Sequence, residues 1–514
     1  GVYVISHIEL KKGVKLKLEG LLRDYTKDYV SSGAQGALTR GDLAVLRTDG
    51  STDMFQNHPQ HTYGRDGSSD FSVTGGMLDM KGKVRCFVWC CAENVLLKNV
   101  ILKDCPNNHA IQVTGSRNVR ITDCMFAGYN YKTNNTTAEV VQIEQTHPGA
   151  IGGGDNPVSK FDAGEFYFSA DVEISGCYFG KSDIYDAPTY AIGHHGQSYK
   201  SAVTGLKITG CVFDNCRCSA IRYPAFSNVE ISGNKFISNR ANSVSTEKTP
   251  SQIHMILKNS DSTVKVKNAS GTEVTAYYAK KDACEGSINT VIENNEFVFG
   301  GNTKMRMAVN AVSNSLINDA EYDSNAYYVS WYKETAKLYR GYRLVKNRIE
   351  NLTVRGNSIT VDDKFAGDGF FFEFRFVDGL LCENNTVTGR EYTSKDSLGG
   401  VKVDYARISG CTPMADYGHK YTIPVTKTYL SGVVLGGEGG MTLRCTDSSL
   451  RQIKLVAEGG RLDISVGADG SLTVTPVAEN GKTFAGYRVV SGTLTDNSGK
   501  KEFSGDLTVS ADFK

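Results

Sequence analysis

Apolar and polar residues alternate in short runs along most of the chain, which is the period of a β-strand rather than of a helix. The runs share one pattern, Asn-Val-x-Ile-x-x-Cys/Asn-x-Phe. It reads Asn118-Val-Arg-Ile-Thr-Asp-Cys124-Met-Phe126, then Asp171-Val-Glu-Ile-Ser-Gly-Cys177-Tyr-Phe179 and Gly205-Leu-Lys-Ile-Thr-Gly-Cys211-Val-Phe213. It returns as Asn228-Val-Glu-Ile-Ser-Gly-Asn234-Lys-Phe236 and as Asn351-Leu-Thr-Val-Arg-Gly-Asn357-Ser-Ile359, with an earlier copy at Asn94–Leu102 and weaker ones around Asn295 and Asn385. Val100 and Cys124 are 24 residues apart, Cys211 and Asn234 are 23 apart, and Cys177 and Cys211 are 34 apart. Longer gaps of 53 to 62 residues fit either two coils or one coil with a long excursion. Coils of this length with several short strands each predict an all-β chain wound as a right-handed parallel β-helix, with the Cys/Asn position forming an internal ladder. No stripe of helical spacing competes with this reading. The best short helix candidate is Trp331–Tyr339, about two turns.

A second run lies nine residues upstream of the first: Ala110-Ile-Gln-Val113 before Val119, Ala220-Ile-Arg-Tyr223 before Val229, and Phe371-Phe-Glu-Phe374 before Leu380. Val140-Val-Gln-Ile143 and Ala191-Ile-Gly-His194 read as the same strand. Parity points Ile111, Val141, Ile192, Ile221 and Phe372 inward. Gln112, Gln142, Gly193, Arg222 and Glu373 then point outward, with Glu144 and His195 two residues beyond Gln142 and Gly193. Trp89 shares the inward parity of Val113.

The β-helix is expected over residues 1–412. Residues 413–452 read as a Gly/Thr-rich connector with strand character, and 453–514 as a small module of alternating strands. The chain has 514 residues, 54 Gly and only 10 Pro, which suits a β-rich protein with many turns. A net charge of +1 argues against nucleic acid as the main partner. No apolar run reaches the roughly 18 residues of a membrane span. The 13 Cys read mainly as buried small hydrophobes, because Cys124, Cys177 and Cys211 sit inside apolar strands. Neither Cys90-Cys91 nor Cys216/Cys218 makes the paired spacing of a zinc site, so no metal site is assigned. Strand-like sequence begins at Val2, so a capping domain or subunit outside this chain is expected to cover that end of the solenoid.

The longest excursion of the first half, between Cys124 and Cys177, carries Asp155 and Asp162 on a polar, Gly-rich loop. Long insertions in a solenoid usually carry function. Two carboxyl groups across one bond are what a glycosidase needs; the bland alternative is a solvated pair, or a pair holding a structural Ca²⁺. Gln112, Gln142, Glu144, His195, Arg222 and Glu373 are the candidate sugar-binding residues of the same polar face. For Arg222 the alternative is a surface ion pair.

The run Glu139–Glu144, the Asp155/Asp162 pair, Ala191–His195 and Ala220–Tyr223 together resemble the β-helical lacto-N-biosidases of glycoside hydrolase family 136, over roughly residues 80–240. The resemblance implies a pectin-lyase-like solenoid and a retaining glycosidase. It implies Asp155 as nucleophile, Asp162 as acid/base, an oligosaccharide substrate that yields lacto-N-biose, and no required cofactor. Gly193-His-His-Gly196 and Ile221-Arg-Tyr223 resemble polygalacturonase signatures, without their paired aspartates. A pectate-lyase-like lyase using Ca²⁺ is a nearer alternative. Residues 453–514 resemble small β-repeat modules of Gram-positive surface proteins, which implies a secreted or surface-attached chain. An adhesin that binds glycans is the alternative of another class, and it needs no acid pair.

Overall fold

A computed structural model describes residues 1–18, 38, 43–56, 69–130, 138–144, 169–194, 203–224, 226–240, 251–257, 262–267, 273–278, 286–305, 307–313, 327–332, 335–340, 348–362, 364–365, 371–375, 377–383, 385–389, 401–404, 407–411, 420–425, 439–445, 451–466, 472–497 and 500–514. These form two compact units. The first comprises Gly1–Ile253, Asn294–Met305 and Lys364–Ala366. Each of its coils lays one short strand into each of three parallel sheets. In one coil these strands are Arg117–Thr122, Met125–Tyr129 and Glu139–Glu144; in the next they are Ala170–Ser175, Tyr178–Gly180 and Tyr190–Gly193. Val119 pairs with Val172, Phe126 with Phe179, and Val141 with Ile192. This is the parallel β-helix that the repeat predicts.

The second unit comprises His254–Glu293, Arg306–Asp363 and Gly367–Lys514. It holds coils of the same kind, such as Arg348–Arg355, Ser358–Val361 and Phe372–Arg375. The long gaps resolve as single coils with excursions. Phe126 pairs directly with Phe179, Phe236 with Phe297, and Thr353 with Val291. The helix expected at Trp331–Tyr339 is instead a hairpin: Tyr327–Tyr332 runs antiparallel to Thr335–Arg340, with Trp331 opposite Ala336. Its density of Tyr, Trp, Val and Thr favours the pleated surface over the helix. In the C-terminal region Lys420–Val425 and Met441–Cys445 join the same seven-stranded sheet as the strands of residues 451–513, through pairing with Arg451–Glu458 and Lys500–Phe513.

The repeat motif has a physical reason at almost every position. Its first residue adopts a left-handed backbone at Asn94, Asn118, Asp171 and Asn228 (φ 49° to 57°), which Asn and Asp tolerate best among residues with a side chain. The sixth residue does the same at Asp123, Gly176, Gly210 and Gly233. There the chain turns from one sheet to the next. The Val and Ile between them are buried.

The seventh position forms the expected internal ladder. The Cys211 N–H donates to Asn234 Oδ1 at 2.9 Å, and the Asn234 N–H to Asn295 Oδ1 at 3.0 Å. Each rung side chain also reaches a carbonyl of the preceding coil: Cys177 Sγ to Ile121, Cys211 Sγ to Ile174, Asn234 Nδ2 to Ile208 and Asn295 Nδ2 to Ile231. The ninth position stacks. Phe126, Phe179, Phe213, Phe236 and Phe297 form a column with centroids 4.6 to 5.1 Å apart and planes within 10°. Trp89 is buried against Phe71 and Phe87, as its parity predicts.

The opposite row of the same sheet is also apolar. Met77, Ile101, Met125 and Tyr178 pack there with Leu43, and with the half-buried Leu38 and Val45. At the first coil Val2–Ile5 ends its sheet, with Val2, Tyr3 and Val4 exposed. The cover expected for this end is not among the described residues.

The ladder yields a prediction. Replacing Asn234 with Ala strands the Cys211 N–H and the Ile208 carbonyl in a dry interior, at about 1–3 kcal/mol each. Asn234→Cys restores both contacts in the manner of Cys177 and Cys211. The urea midpoint should fall clearly for Asn234→Ala and by less than half as much for Asn234→Cys. Equal losses would show that the rung does not depend on these hydrogen bonds.

Candidate functional site

The register places Gln112 opposite Gln142, Gln142 opposite Gly193, and Gly193 opposite Arg222. Ile111, Val141, Ile192 and Ile221 form the alternate, apolar row. The stacking of polar positions is therefore the one that parity predicts. Gln112, Gln142, Glu144 and Arg222 are nevertheless all buried, each no more than 5% exposed.

Three of them, Gln112, Glu144 and Arg222, are buried among polar partners. Asp53 Oδ2 accepts from Arg85 Nη2 at 2.6 Å, and Arg85 Nη1 donates to Gln112 Oε1 at 2.6 Å. Gln112 Nε2 donates to Glu144 Oε1, which also accepts from Thr114 Oγ1 at 3.2 Å. His194 Nε2 meets Glu144 Oε2 at 3.3 Å. Beside this chain Arg222 pairs with Glu139, its Nε 3.1 Å from Oε1, and its guanidinium lies 3.5 Å over the Tyr190 ring. His109 Nδ1 contacts the Glu139 carbonyl at 2.6 Å. Burial pushes the Glu144 carboxyl up, but His194, Gln112 and His109 outweigh it and hold the group below the ordinary carboxylate range.

The histidine of this row is His194. Gly193 adopts φ 144°, so strict alternation ends there, and the His194 N–H donates to the Arg222 carbonyl at 2.9 Å. A Cβ at position 193 would lie 1.6 Å from that carbonyl oxygen, so the position admits only glycine. The glycine before the double histidine was the signal for it. Arg85 and Asp53 carry no repeat signature, and only their place one and two coils before Gln112 marks them. Glu139 opens the Glu139–Glu144 run and was legible as part of it.

Asp155, Asp162 and His195 lie outside the described residues. Glu373, in the second unit, is buried and stands in register with Asn310 and Lys402. Among the described residues no three His, Cys, Asp or Glu gather as a metal site, and no helix is long and apolar enough to cross a membrane.

No known protein-family model matches the chain. Over 186 residues it is 30% identical to the plasmin and fibronectin-binding protein A of Streptococcus pneumoniae, a match covering 33% of this chain and 26% of that protein. The chain thus spans about a quarter of the length of that curated relative. Two solved structures are similar in fold. One, the S. pneumoniae surface protein and adhesin PfbA, has a TM-score of 0.54 at 20% identity and covers 80% of this chain and 85% of its own. The other, described as a surface adhesin of S. pneumoniae, has a TM-score of 0.58 at 18% identity and covers 93% and 90%.

These similarities overturn the family 136 resemblance and what it implied: a glycosidase, an oligosaccharide substrate and release of lacto-N-biose. On the described face Glu144 is held below the ordinary carboxylate range and Glu139 is paired with Arg222, while the expected acid pair, Asp155 and Asp162, lies outside the described residues. Gln, Glu, His and Arg in stacked rows resembled a sugar cleft because partners one coil apart are invisible in a linear motif.

Two outcomes follow. Arg222→Ala leaves Glu139 buried without its cation and should cost about 3–5 kcal/mol, while Glu139→Gln combined with Arg222→Met should recover most of the loss in urea unfolding. Glu144 has a folded pKa below its unfolded value of about 4.3, so its stabilisation is complete above that pH and fades as pH falls through the folded value. Glu144→Gln should therefore lower stability at pH 7 and flatten the decline below about pH 4.3 in acid titration. An unchanged acid limb would remove Glu144 from the account.

Proposed function

We propose that this chain is the β-helical part of a cell-surface adhesin that binds proteins rather than cleaving glycans. The observation that carries the reading is the 186-residue match to a protein named for binding plasmin and fibronectin. The fold likeness to two surface adhesin structures supports it, as does a polar row whose charges are satisfied internally. A surface location also agrees with the expectation drawn from residues 453–514. Such a protein presents long, regular rows of side chains, and its affinity comes from a few anchoring residues on a rigid scaffold.

Immobilised full chain should bind plasmin or fibronectin saturably in surface plasmon resonance, and incubation with lacto-N-tetraose and polygalacturonate should release no product. Absence of binding to both proteins overturns the reading, as does turnover of either glycan.

A further inference from the structure

We propose that Cys90 and Cys91 are a reversible redox site, closing to a vicinal disulfide ring in an oxidising compartment. Cys90 ends the strand Phe87–Cys90 and pairs in register with Thr114, which pairs in turn with Glu144. Neighbours in a continuing strand point to opposite faces, which would carry adjacent thiols apart. Here Cys91 has φ 51°, the left-handed region that side chains other than Asn and Asp seldom enter. Its N–H donates to the Thr114 carbonyl at 2.9 Å, which pins the turn. The result brings the two thiols to the same side, Sγ to Sγ 3.7 Å. Both residues are buried, so in the closed fold the pair is shielded from reagents. Contact with Cys91, burial and the Glu144 carboxylate also keep the Cys90 thiol protonated there.

Oxidation therefore belongs to the open chain, during export, with a small-molecule disulfide as oxidant. One cysteine thiolate attacks that disulfide and expels one small thiol, leaving a mixed disulfide. The second cysteine thiolate attacks the Sγ of the first and expels the remaining small thiol. Two protein S–H bonds are replaced by one S–S bond, and the oxidant's S–S bond by two S–H bonds. Adjacent Cα atoms lie about 3.8 Å apart, below the usual disulfide range of about 4.4–6.8 Å, so the ring is strained and readily reduced. The oxidising setting rests on the surface location proposed above; the thiol chemistry does not.

The full chain is exported to a bacterial periplasm, trapped by denaturation in iodoacetamide without reductant, and peptide-mapped. The peptide with Cys90 and Cys91 should be two hydrogens lighter than the dithiol and carry no alkyl group. After dithiothreitol it should take two carbamidomethyl groups. The folded chain purified from cytosol and held in oxidised glutathione should keep both thiols at this peptide, and should close the ring only when refolded from urea in the same buffer. Two alkyl groups on the exported peptide before reduction overturn the proposal, as does either cysteine joined to a different one. Loss of plasmin and fibronectin binding would touch only the adhesin reading.

Discussion

A parallel β-helix stands or falls on how it satisfies the backbone at the turns between sheets, because those turns face a dry interior. Here the inward Cys or Asn of the repeat meets that demand. Cys211, Asn234 and Asn295 each donate to a carbonyl of the coil before and accept the N–H of the preceding rung. An interior polar group without a partner costs about as much as a lost hydrogen bond, so the ladder is a condition of stacking rather than an ornament. The change from Cys at 124, 177 and 211 to Asn at 234 and 295 alters the chemistry of the rung but not its two tasks. The Phe column two residues on supplies the apolar burial that the ladder positions.

The fold was legible because these constraints act within one nine-residue motif and repeat at the coil length. Apolar parity set the faces, and the left-handed positions selected Asn, Asp or Gly. Where the constraint was not periodic, the sequence was mute or misleading. The hairpin at Tyr327–Arg340 carried an apolar spacing that suits a short helix, yet pairing across two aromatic-rich strands prevails. His194 turned to the polar row because Gly193 breaks alternation, and that requirement comes from the Arg222 carbonyl in the next coil, a contact across 29 residues that the sequence marks only by the glycine itself.

The polar row shows why solenoid surfaces invite enzymatic readings. Stacked Gln, Glu, His and Arg are the residue types of a sugar cleft, and parity alone puts them on one line. Catalysis needs carboxyls with opposed protonation and room for a substrate between them. Glu139 and Glu144 are both engaged by neighbours from other coils, Glu139 by Arg222 and Glu144 by Gln112 and His194. Composition gave the residue types; the partner chosen by each side chain decides what they do.

The same arrangement answers a problem peculiar to repeats. A slip by one coil would leave most Val and Ile contacts intact, because successive coils are alike, so hydrophobic burial alone specifies register weakly. Charge breaks the degeneracy. Along the sheet that contains Arg117–Thr122, the residues Arg120, Glu173, Lys207 and Glu230 stand in register and alternate in sign. On the exposed face these pairs add little stability, the Lys207–Glu230 contact at 3.1 Å being largely solvated. A slipped strand, however, would set like charges opposite each other, which is destabilising. The buried row enforces the same choice at greater cost, since a slip would leave Glu139 without Arg222 and Glu144 without His194. Buried ion pairs are poor sources of stability, so what these two add to the solenoid is a penalty on the slipped register.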